Sequence, residues 1–106
     1  MKMSSLLETI GPSLENKIID FLIEGIGIDY TKKGIAGNSG ISRPTLYKIF
    51  PKLVKQKIIK PTRTIGRVQL YSLNTENEKV KALLKLEEFL LKKSFEEIGI
   101  KPRLKI

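Results

Sequence analysis

One stretch, Ile35–Ile49, constrains the fold more than any other part of the 106-residue chain. Thr31 precedes it and can cap a helix, because its hydroxyl can accept a backbone amide of the first turn. Asn38-Ser39-Gly40 is a tight-turn sequence whose glycine suits a positive φ. Ser42 can cap a second helix directly afterwards. The spacing therefore predicts two short helices joined by a tight turn.

The apolar residues of this stretch predict how the two helices pack. The small side chain of Ala36 lets them cross closely, and Ile41 can hold the second helix against the first. Helical spacing gives the second helix a buried face and an outer face. The predicted buried residues are Leu46, Ile49, Phe50, Leu53 and Val54, and the predicted outward residues are Arg43, Thr45, Tyr47 and Lys48.

Capping residues and apolar spacing predict three further helices. Ser5-Leu6-Leu7-Glu8 is a candidate capping box that opens a short helix. Ser13 can cap a second one, roughly Leu14 to Glu24. Thr75-Glu76-Asn77-Glu78 is another candidate capping box, and it opens the longest helix, about Glu76 to Ile98.

Two extended segments, residues 58–64 and 67–73, flank Ile65-Gly66 and predict a β-hairpin with Gly66 in the turn. On the second arm, Val68, Leu70 and Ser72 alternate with Gln69, Tyr71 and Leu73. Pro61 lacks an amide donor, so we expect its strand to lie at an edge or to be irregular there. The expected fold class is mostly α with a small β-hairpin.

The positive charge is concentrated in one block, residues 42–74, which holds eight basic and no acidic side chains. The whole chain has a net charge of +9, so this block carries nearly all of the excess. Nucleic-acid phosphate is the usual partner of such a block. The alternative is a solvated basic surface that keeps the protein soluble.

The helix order, with Ile35–Ile49 before the hairpin, resembles a winged helix-turn-helix. The run from Ile41 through Leu53 to Ile59 is similar to the recognition helix and first wing strand of multiple-antibiotic-resistance-regulator-like and arsenical-repressor-like proteins. From about Leu14 to Phe95, the chain resembles a small archaeal-type winged-helix regulator. The resemblance implies a transcription regulator whose helix from Ser42 enters the major groove of DNA, while the wing follows the backbone or the minor groove.

Three features depart from that family pattern. Lys57 stands where such proteins often have glycine before the wing. Pro51 falls inside the second helix of the pair, where it removes an amide donor and predicts a kink, or a stop and restart. The chain also lacks the Cys and His side chains that metal-sensing members use as ligands.

The resemblance and the charge together nominate the DNA-binding residues. The candidates are Ser42, Arg43, Thr45, Tyr47, Lys48 and Lys52 on the helix, with Arg63, Thr64 and Arg67 at the wing. Arg43 can contact guanine, Lys48 a phosphate or guanine, and Thr45 a thymine methyl group or a phosphate. The alternative is that Arg43 and Lys48 are solvated charges and that Tyr47 packs against Tyr30.

The last helix predicts a partner, because its apolar residues form two stripes and covering one domain needs a single stripe. Val80, Leu84, Leu91, Phe95 and Ile98 form one stripe, and Ala82, Leu86 and Phe89 the other, with Leu83 and Leu90 between them. A twofold homodimer is the commonest solution. The predicted dimerisation residues are Leu83, Leu86, Phe89 and Leu90. The alternative is that Leu6, Leu7 and Ile10 of the same chain cover this surface.

These features divide the chain into an N-terminal arm or short helix (1–12), a DNA-binding domain (13–74), a dimerisation helix (75–98) and a flexible tail (99–106). The expected function is a dimeric double-stranded DNA-binding transcription regulator. A winged-helix protein–protein interaction module, or a non-specific architectural or RNA-binding protein, are the alternatives.

Several function classes are disfavoured by what the sequence lacks. Without Cys and His there is no thiol nucleophile, Ser-His-type triad or zinc site, so we expect no enzyme, no metal and no cofactor. No apolar run approaches the roughly 18 residues of a membrane span, and Glu8 comes too early for a signal-peptide core. We therefore expect a cytoplasmic protein without a membrane partner, while a small-molecule effector stays open.

Overall fold

The computed structural model describes residues 3–97 and 99 of the chain. Its elements follow the predicted order. They are α1 (Ser5–Ile10), α2 (Leu14–Glu24), α3 (Lys32–Ser39), α4 (Arg43–Lys55), β1 (Ile59–Ile65), β2 (Val68–Leu73) and α5 (Glu78–Glu97). The expected fold class, mostly α with one hairpin, is confirmed. Ile98 and, apart from Gly99, the predicted tail lie outside the described residues.

Side-chain caps fix the starts of the middle three helices, as predicted. The hydroxyls of Ser13, Thr31 and Ser42 each accept the amide three residues further on, at 3.1, 3.0 and 3.4 Å. Gly40 ends α3 in the left-handed conformation, with φ 69°. The tight turn therefore lies where the sequence predicts it.

The first and last helices are capped by other residues than predicted. Ser4, not Ser5, caps α1, because only its hydroxyl lies outside the helix and accepts a first-turn amide at 3.1 Å. Asn77, not Thr75, caps α5, and its side-chain oxygen accepts two amides at 2.8 and 3.2 Å. Its amide group also donates to two carbonyl oxygens just past α4, both at 3.1 Å. A threonine hydroxyl cannot make all four of these bonds.

Pro51 does not interrupt α4, which runs continuously from Arg43 to Lys55. The predicted stop and restart is therefore wrong. Buried Phe50 and Leu53 hold both sides of the proline against the core, so tertiary packing keeps the helix intact.

Helix α4 closes with Lys57 in the left-handed conformation, at φ 60°. The amide of Lys57 donates to the carbonyl of Val54 and that of Ile58 to the carbonyl of Leu53, both at 3.0 Å. This is the bonding pattern of a Schellman motif, in which glycine usually occupies the left-handed position. The helix end therefore keeps the geometry that is usual with glycine, although Lys57 occupies the left-handed position.

Strands β1 and β2 form an antiparallel hairpin around a turn in which Gly66 has φ 61°. The register shifts between Pro61 and Thr64, so the strand is irregular beside the proline, as predicted. On the side of β2 that faces away from β1, the backbones of Tyr71 and Tyr30 exchange two hydrogen bonds, at 2.7 and 2.8 Å. The Pro61–Tyr71 pair is therefore a non-hydrogen-bonded one, and the nitrogen of Pro61 faces the open edge of β1.

The simple alternation predicted for β2 is wrong. Leu70 and Leu73 are both buried, whereas Val68 is 49% exposed at the hairpin tip. The base of the hairpin lies on the core, where Leu73 pairs with buried Ile59, and the tip extends beyond it. A strongly twisted two-stranded ribbon does not keep one face on the core along its whole length.

The hydrophobic core draws on every helix of the described chain. Leu6 of α1 is fully buried together with Ile18, Leu46 and Val80. Helix α1 contacts both α2 and α5, so the predicted N-terminal arm is part of the packed body.

The apolar side chains that α5 leaves exposed come from both predicted stripes. Leu83, Leu84, Leu86 and Leu90 are half-buried against the core. Leu91 and Phe95, assigned by sequence to the stripe that covers the domain, are instead 50% and 36% exposed. A helix of 20 residues is about 30 Å long, and after Leu90 no described apolar residue of α5 packs against the core. Phe89, at 55%, is the most exposed aromatic side chain of α5.

Candidate nucleic-acid interface

The outer face of α4 is built by helical spacing. Arg43, Tyr47 and Lys48 are exposed, whereas Leu46 and Phe50 on the opposite face of the helix are buried. Within the described residues, no carboxylate lies within ion-pair distance of Arg43 or Lys48. Both cations are therefore available to an external anion.

The start of α4 holds two of the candidate residues in contact with each other. The Ser42 hydroxyl donates to the Thr45 hydroxyl oxygen at 2.8 Å and accepts the Thr45 amide at 3.4 Å. Ser42 is exposed and Thr45 half-buried. Ser42 therefore acts first as the helix cap.

The suggested packing of Tyr47 against Tyr30 is wrong. The ring of Tyr30 packs on Phe21 with its centroid 4.9 Å away, and its backbone is held by Tyr71. Tyr47 is 51% exposed on the outer face of α4.

Lys52 lies further along α4 and is paired within the chain. Its ammonium group lies 3.1 Å from the Glu15 carboxylate of α2. Lys52 is exposed and Glu15 only half-buried, so the pair contributes little to stability. The pairing separates Lys52 from the free cations Arg43 and Lys48.

The hairpin carries an ion pair that the sequence did not predict. Arg63 donates to both carboxylate oxygens of Asp29, from Nε at 2.9 Å and from a terminal nitrogen at 3.2 Å. The Thr62 hydroxyl donates to the same carboxylate at 2.7 Å. The hydrogen bond from Arg63 lowers the pKa of Asp29 below its ordinary value, and that from Thr62 adds to the effect. In return, Asp29 raises the pKa of Arg63.

The two other candidates on the hairpin differ in how they are held. The Thr64 hydroxyl lies 3.2 Å from the Gln69 side-chain oxygen of the opposite strand. Arg67 is exposed beside Gly66 at the turn, with no carboxylate of the described chain within ion-pair distance. Arg67 is thus the free cation of the hairpin tip.

A lysine between α4 and the hairpin was also missed. The Lys32 ammonium lies 5.5 Å from the ring centroid of Tyr47, 5.2 Å from that of Phe50 and 5.8 Å from that of Tyr71. The rings of Phe50 and Tyr71 meet edge to face at 4.7 Å. Tyr47 and Phe50 are one turn apart on α4, but Lys32 comes from α3 and Tyr71 from β2. No local spacing pattern could therefore have indicated the whole cluster.

Acidic side chains gather elsewhere, between α2 and α5. Burial raises the pKa of Glu87 above its ordinary value, and the nearby carboxylates of Asp20 and Glu24 raise it further. Across the described residues, no group of three or more acidic side chains is placed to hold a metal ion. Within the same residues, no helix is long and apolar enough to cross a membrane.

Comparison with protein-family models and with curated proteins finds no match to this chain. Solved structures do match it. The adhesin competence repressor AdcR of Streptococcus pyogenes aligns with a TM-score of 0.58 at 19% identity, over 88% of this chain and 71% of AdcR. Lactococcus lactis ZitR, solved in complex with DNA, aligns with a TM-score of 0.56 at 23% identity, over 84% of this chain. The chain spans 62% of the length of ZitR.

A third solved structure also matches this chain. It is the homodimeric winged helix-turn-helix DNA-binding domain of Mb0332 from Mycobacterium bovis, a possible ArsR-family transcriptional regulator. It aligns with a TM-score of 0.57 at 20% identity, over 87% of this chain and 80% of that domain.

The fold is a winged helix-turn-helix. In this winged helix, α3 and α4 are the helix-turn-helix and β1–β2 the wing, as the resemblance implies. The structural neighbours are winged-helix transcription regulators.

Proposed function

We propose that this protein is a homodimeric regulator of transcription that binds double-stranded DNA. The observation that carries the proposal is the basic block: all eight basic side chains of residues 42–74 are exposed, and the block contains no acidic residue. In the described chain only Lys52 and Arg63 of the eight lie within ion-pair distance of a carboxylate. An exposed surface of one sign attracts a polyanion strongly.

In this proposal α4 and the wing have different tasks. The N-terminal half of a recognition helix is the part that reaches base edges in the major groove. Arg43 then contacts guanine, Lys48 guanine or phosphate, and Thr45 a thymine methyl group or a phosphate. The wing residues Arg63, Thr64 and Arg67 contact the backbone or enter the minor groove. Ser42 caps α4 and presents its amide to a phosphate.

The dimer is proposed from α5. Phe89 on one side of α5 and Leu91 and Phe95 on another leave large apolar side chains exposed, and exposed apolar surface marks interaction sites. Leu83, Leu86 and Leu90 lie between these two sides and are already half-buried within the chain. ZitR was solved on DNA and the Mb0332 domain is homodimeric, which supports the same arrangement here. In this proposal residues 13–74 bind DNA, residues 75–98 dimerise, and the protein works in the cytoplasm without catalysis.

The test is binding to duplex DNA as salt is varied. If a dimer neutralises about 6–10 phosphates, duplex affinity falls by about 10³–10⁵-fold between 50 and 200 mM salt. Arg43→Gln should weaken binding, whereas the control Lys85→Gln, an exposed lysine on α5, should have little effect. A flat salt dependence, or no duplex binding at low salt, contradicts the proposal and favours a protein–protein interaction module. Equal affinity for all duplexes, including RNA, favours an architectural protein.

A further inference from the structure

Lys32 occupies a site defined by three aromatic rings. Its ammonium lies within 5.2–5.8 Å of the ring centroids of Tyr47, Phe50 and Tyr71. An ammonium at this distance from a ring face is attracted by the quadrupole of the ring. Lys32 follows the cap residue Thr31 as the first residue of α3, so its backbone is fixed as well. A side chain that is normally mobile is thereby ordered before any ligand binds.

The rings orient the ammonium but leave its hydrogen-bonding capacity unused. An ammonium has three N–H donors, and a ring face is only a weak acceptor for them. Within the described residues, no carboxylate lies within ion-pair distance of Lys32. The charge is therefore held in place without being neutralised.

The position of the ammonium indicates what can neutralise it. Tyr47 is 51% exposed on the outer face of α4, and Tyr71 lies on β2 at the base of the wing. Lys32 thus lies between the helix that enters the groove and the wing that follows the adjacent strand. A duplex that holds α4 in its major groove and has its backbone along the wing would place phosphates over the surface between these two elements.

We propose that Lys32 binds a backbone phosphate of the DNA duplex and that Tyr47 orders it for this contact. The inference rests on the proposed function, since the phosphate is that of the bound duplex. Ordering the side chain in advance reduces the entropy lost on binding. Lys32 is then a DNA-contacting residue outside the basic block, and Tyr47 is a positioning residue in addition to its place on the outer face of α4.

The first experiment compares Lys32→Gln with Lys33→Gln. Lys33 is the matched control, because it is adjacent, exposed and of the same charge. Because each protomer of the proposed dimer loses one phosphate contact, the slope of log affinity against log salt should fall by about 1.8, which is about sixtyfold in affinity at 0.1 M salt relative to 1 M. Lys33→Gln should change both quantities much less. Equal effects of the two substitutions overturn the inference but leave the proposed function standing.

The second experiment tests the aromatic site by a double-mutant cycle. Tyr47→Leu should lower duplex affinity severalfold, whereas Tyr47→Phe, which keeps the ring, should retain it. In the Lys32→Gln background, Tyr47→Leu should have almost no further effect, because both act on the same contact. Additive losses show instead that Tyr47 contacts DNA independently, and they overturn the positioning role.

Two controls keep the outcomes separate. Lys32→Arg preserves the charge and should retain the wild-type salt slope, and it provides a second variant if Lys32→Gln fails to fold. Thermal unfolding of each variant checks the fold. Wild-type protein that binds no duplex at low salt overturns the proposed function and this inference together.

Discussion

Asp29 and Arg63 lie 34 positions apart in the chain and form a two-point ion pair, with carboxylate oxygens 2.9 and 3.2 Å from the guanidinium nitrogens. The Asp29 side chain is only 18% exposed, while that of Arg63 is 64% exposed. The pair joins the link before α3 to the wing. It therefore restrains the wing relative to the helices that carry the other candidate DNA contacts.

Acid should release this restraint at a defined pH. The pKa of Asp29 is lowered below 3.8 in the folded chain, so the pair stabilises the fold above the unfolded value and ceases to do so as pH falls through the folded value. We expect an NMR titration of the Asp29 carboxyl group to show a midpoint below 3.8. Arg63→Gln should raise that midpoint. A midpoint at or above 3.8 in the wild type contradicts the pairing in solution.

Glu87 should titrate in the opposite direction. Burial and the carboxylates of Asp20 and Glu24 raise its pKa above 4.5. The same NMR experiment should show a midpoint above 4.5, and Asp20→Asn should lower it by removing one repulsive charge. An unchanged midpoint in that variant contradicts the contribution of Asp20 and leaves burial and Glu24 as the causes.

Arg43 and Arg67 should differ in what they contribute to DNA recognition. Arg43→Ala should reduce discrimination among sites by about 1–3 kcal/mol at one base pair, if its contact to guanine is bidentate. Arg67→Ala should weaken most sequences alike, as loss of a backbone contact does. Competition among single-base variants of a selected site measures both. Uniform weakening by Arg43→Ala shows that the roles are wrongly assigned.

Lys57 offers a stability test that is independent of DNA. At φ 60° a residue with a Cβ atom is strained by about 1–2 kcal/mol, and glycine is not. Glycine loses part of this advantage through the greater entropy of its unfolded chain, about 0.4–1 kcal/mol. We expect Lys57→Gly to be more stable than Lys57→Ala by roughly 1 kcal/mol in chemical denaturation. Equal stability of the two variants contradicts the left-handed conformation.

The N-terminal helix should be essential to the fold. Leu6 is fully buried in the core, so Leu6→Ala should lower the free energy of unfolding by about 2–5 kcal/mol. Met3, 43% exposed just before α1, is the control, and Met3→Ala should have little effect. Similar results for both variants indicate that α1 does not pack in solution.

Phe89 should control assembly but not folding. Because it is 55% exposed, Phe89→Glu should retain the far-UV circular dichroism of the wild type while sedimenting at about half the native mass. The control is Lys85→Glu, also on α5. DNA affinity should fall with the dimer, because two linked half-site contacts bind more tightly than one. A monomeric wild type at tens of micromolar contradicts the dimer.

Local signals were sufficient for most of the backbone. The bounds of α2, the caps at Ser13, Thr31 and Ser42, and the turn at Gly40 depend on residues only a few positions apart. At Asn77 the local signal failed, because its choice over Thr75 depends on carbonyl oxygens 20 and 21 residues earlier. A local sequence pattern cannot indicate a hydrogen-bond partner that only tertiary folding brings close.

The same limit applies to the candidate site. Sequence predicted which face of α4 is exposed, since helical spacing alone determines it. It could not pair Asp29 with Arg63 or place Lys32 over Tyr71, because each contact needs the wing already docked beside α3 and α4. For α5, periodicity predicted which residues form the apolar stripes. It did not predict that the packing of these residues against the core ends after Leu90.

Pro61 has a consequence for how copies of the chain can meet. A free strand edge is a template on which further strands can add, and this is a route to aggregation. Tyr30 already occupies the outer edge of β2, which leaves β1 as the free edge of the hairpin. There the proline removes an outward donor, the neighbouring irregularity bends the strand, and Lys60 adds charge. The wing therefore resists edge-to-edge association with other copies of the chain at high protein concentration. It can stay exposed to solvent, whereas a flat apolar strand would need another element to cover its edge.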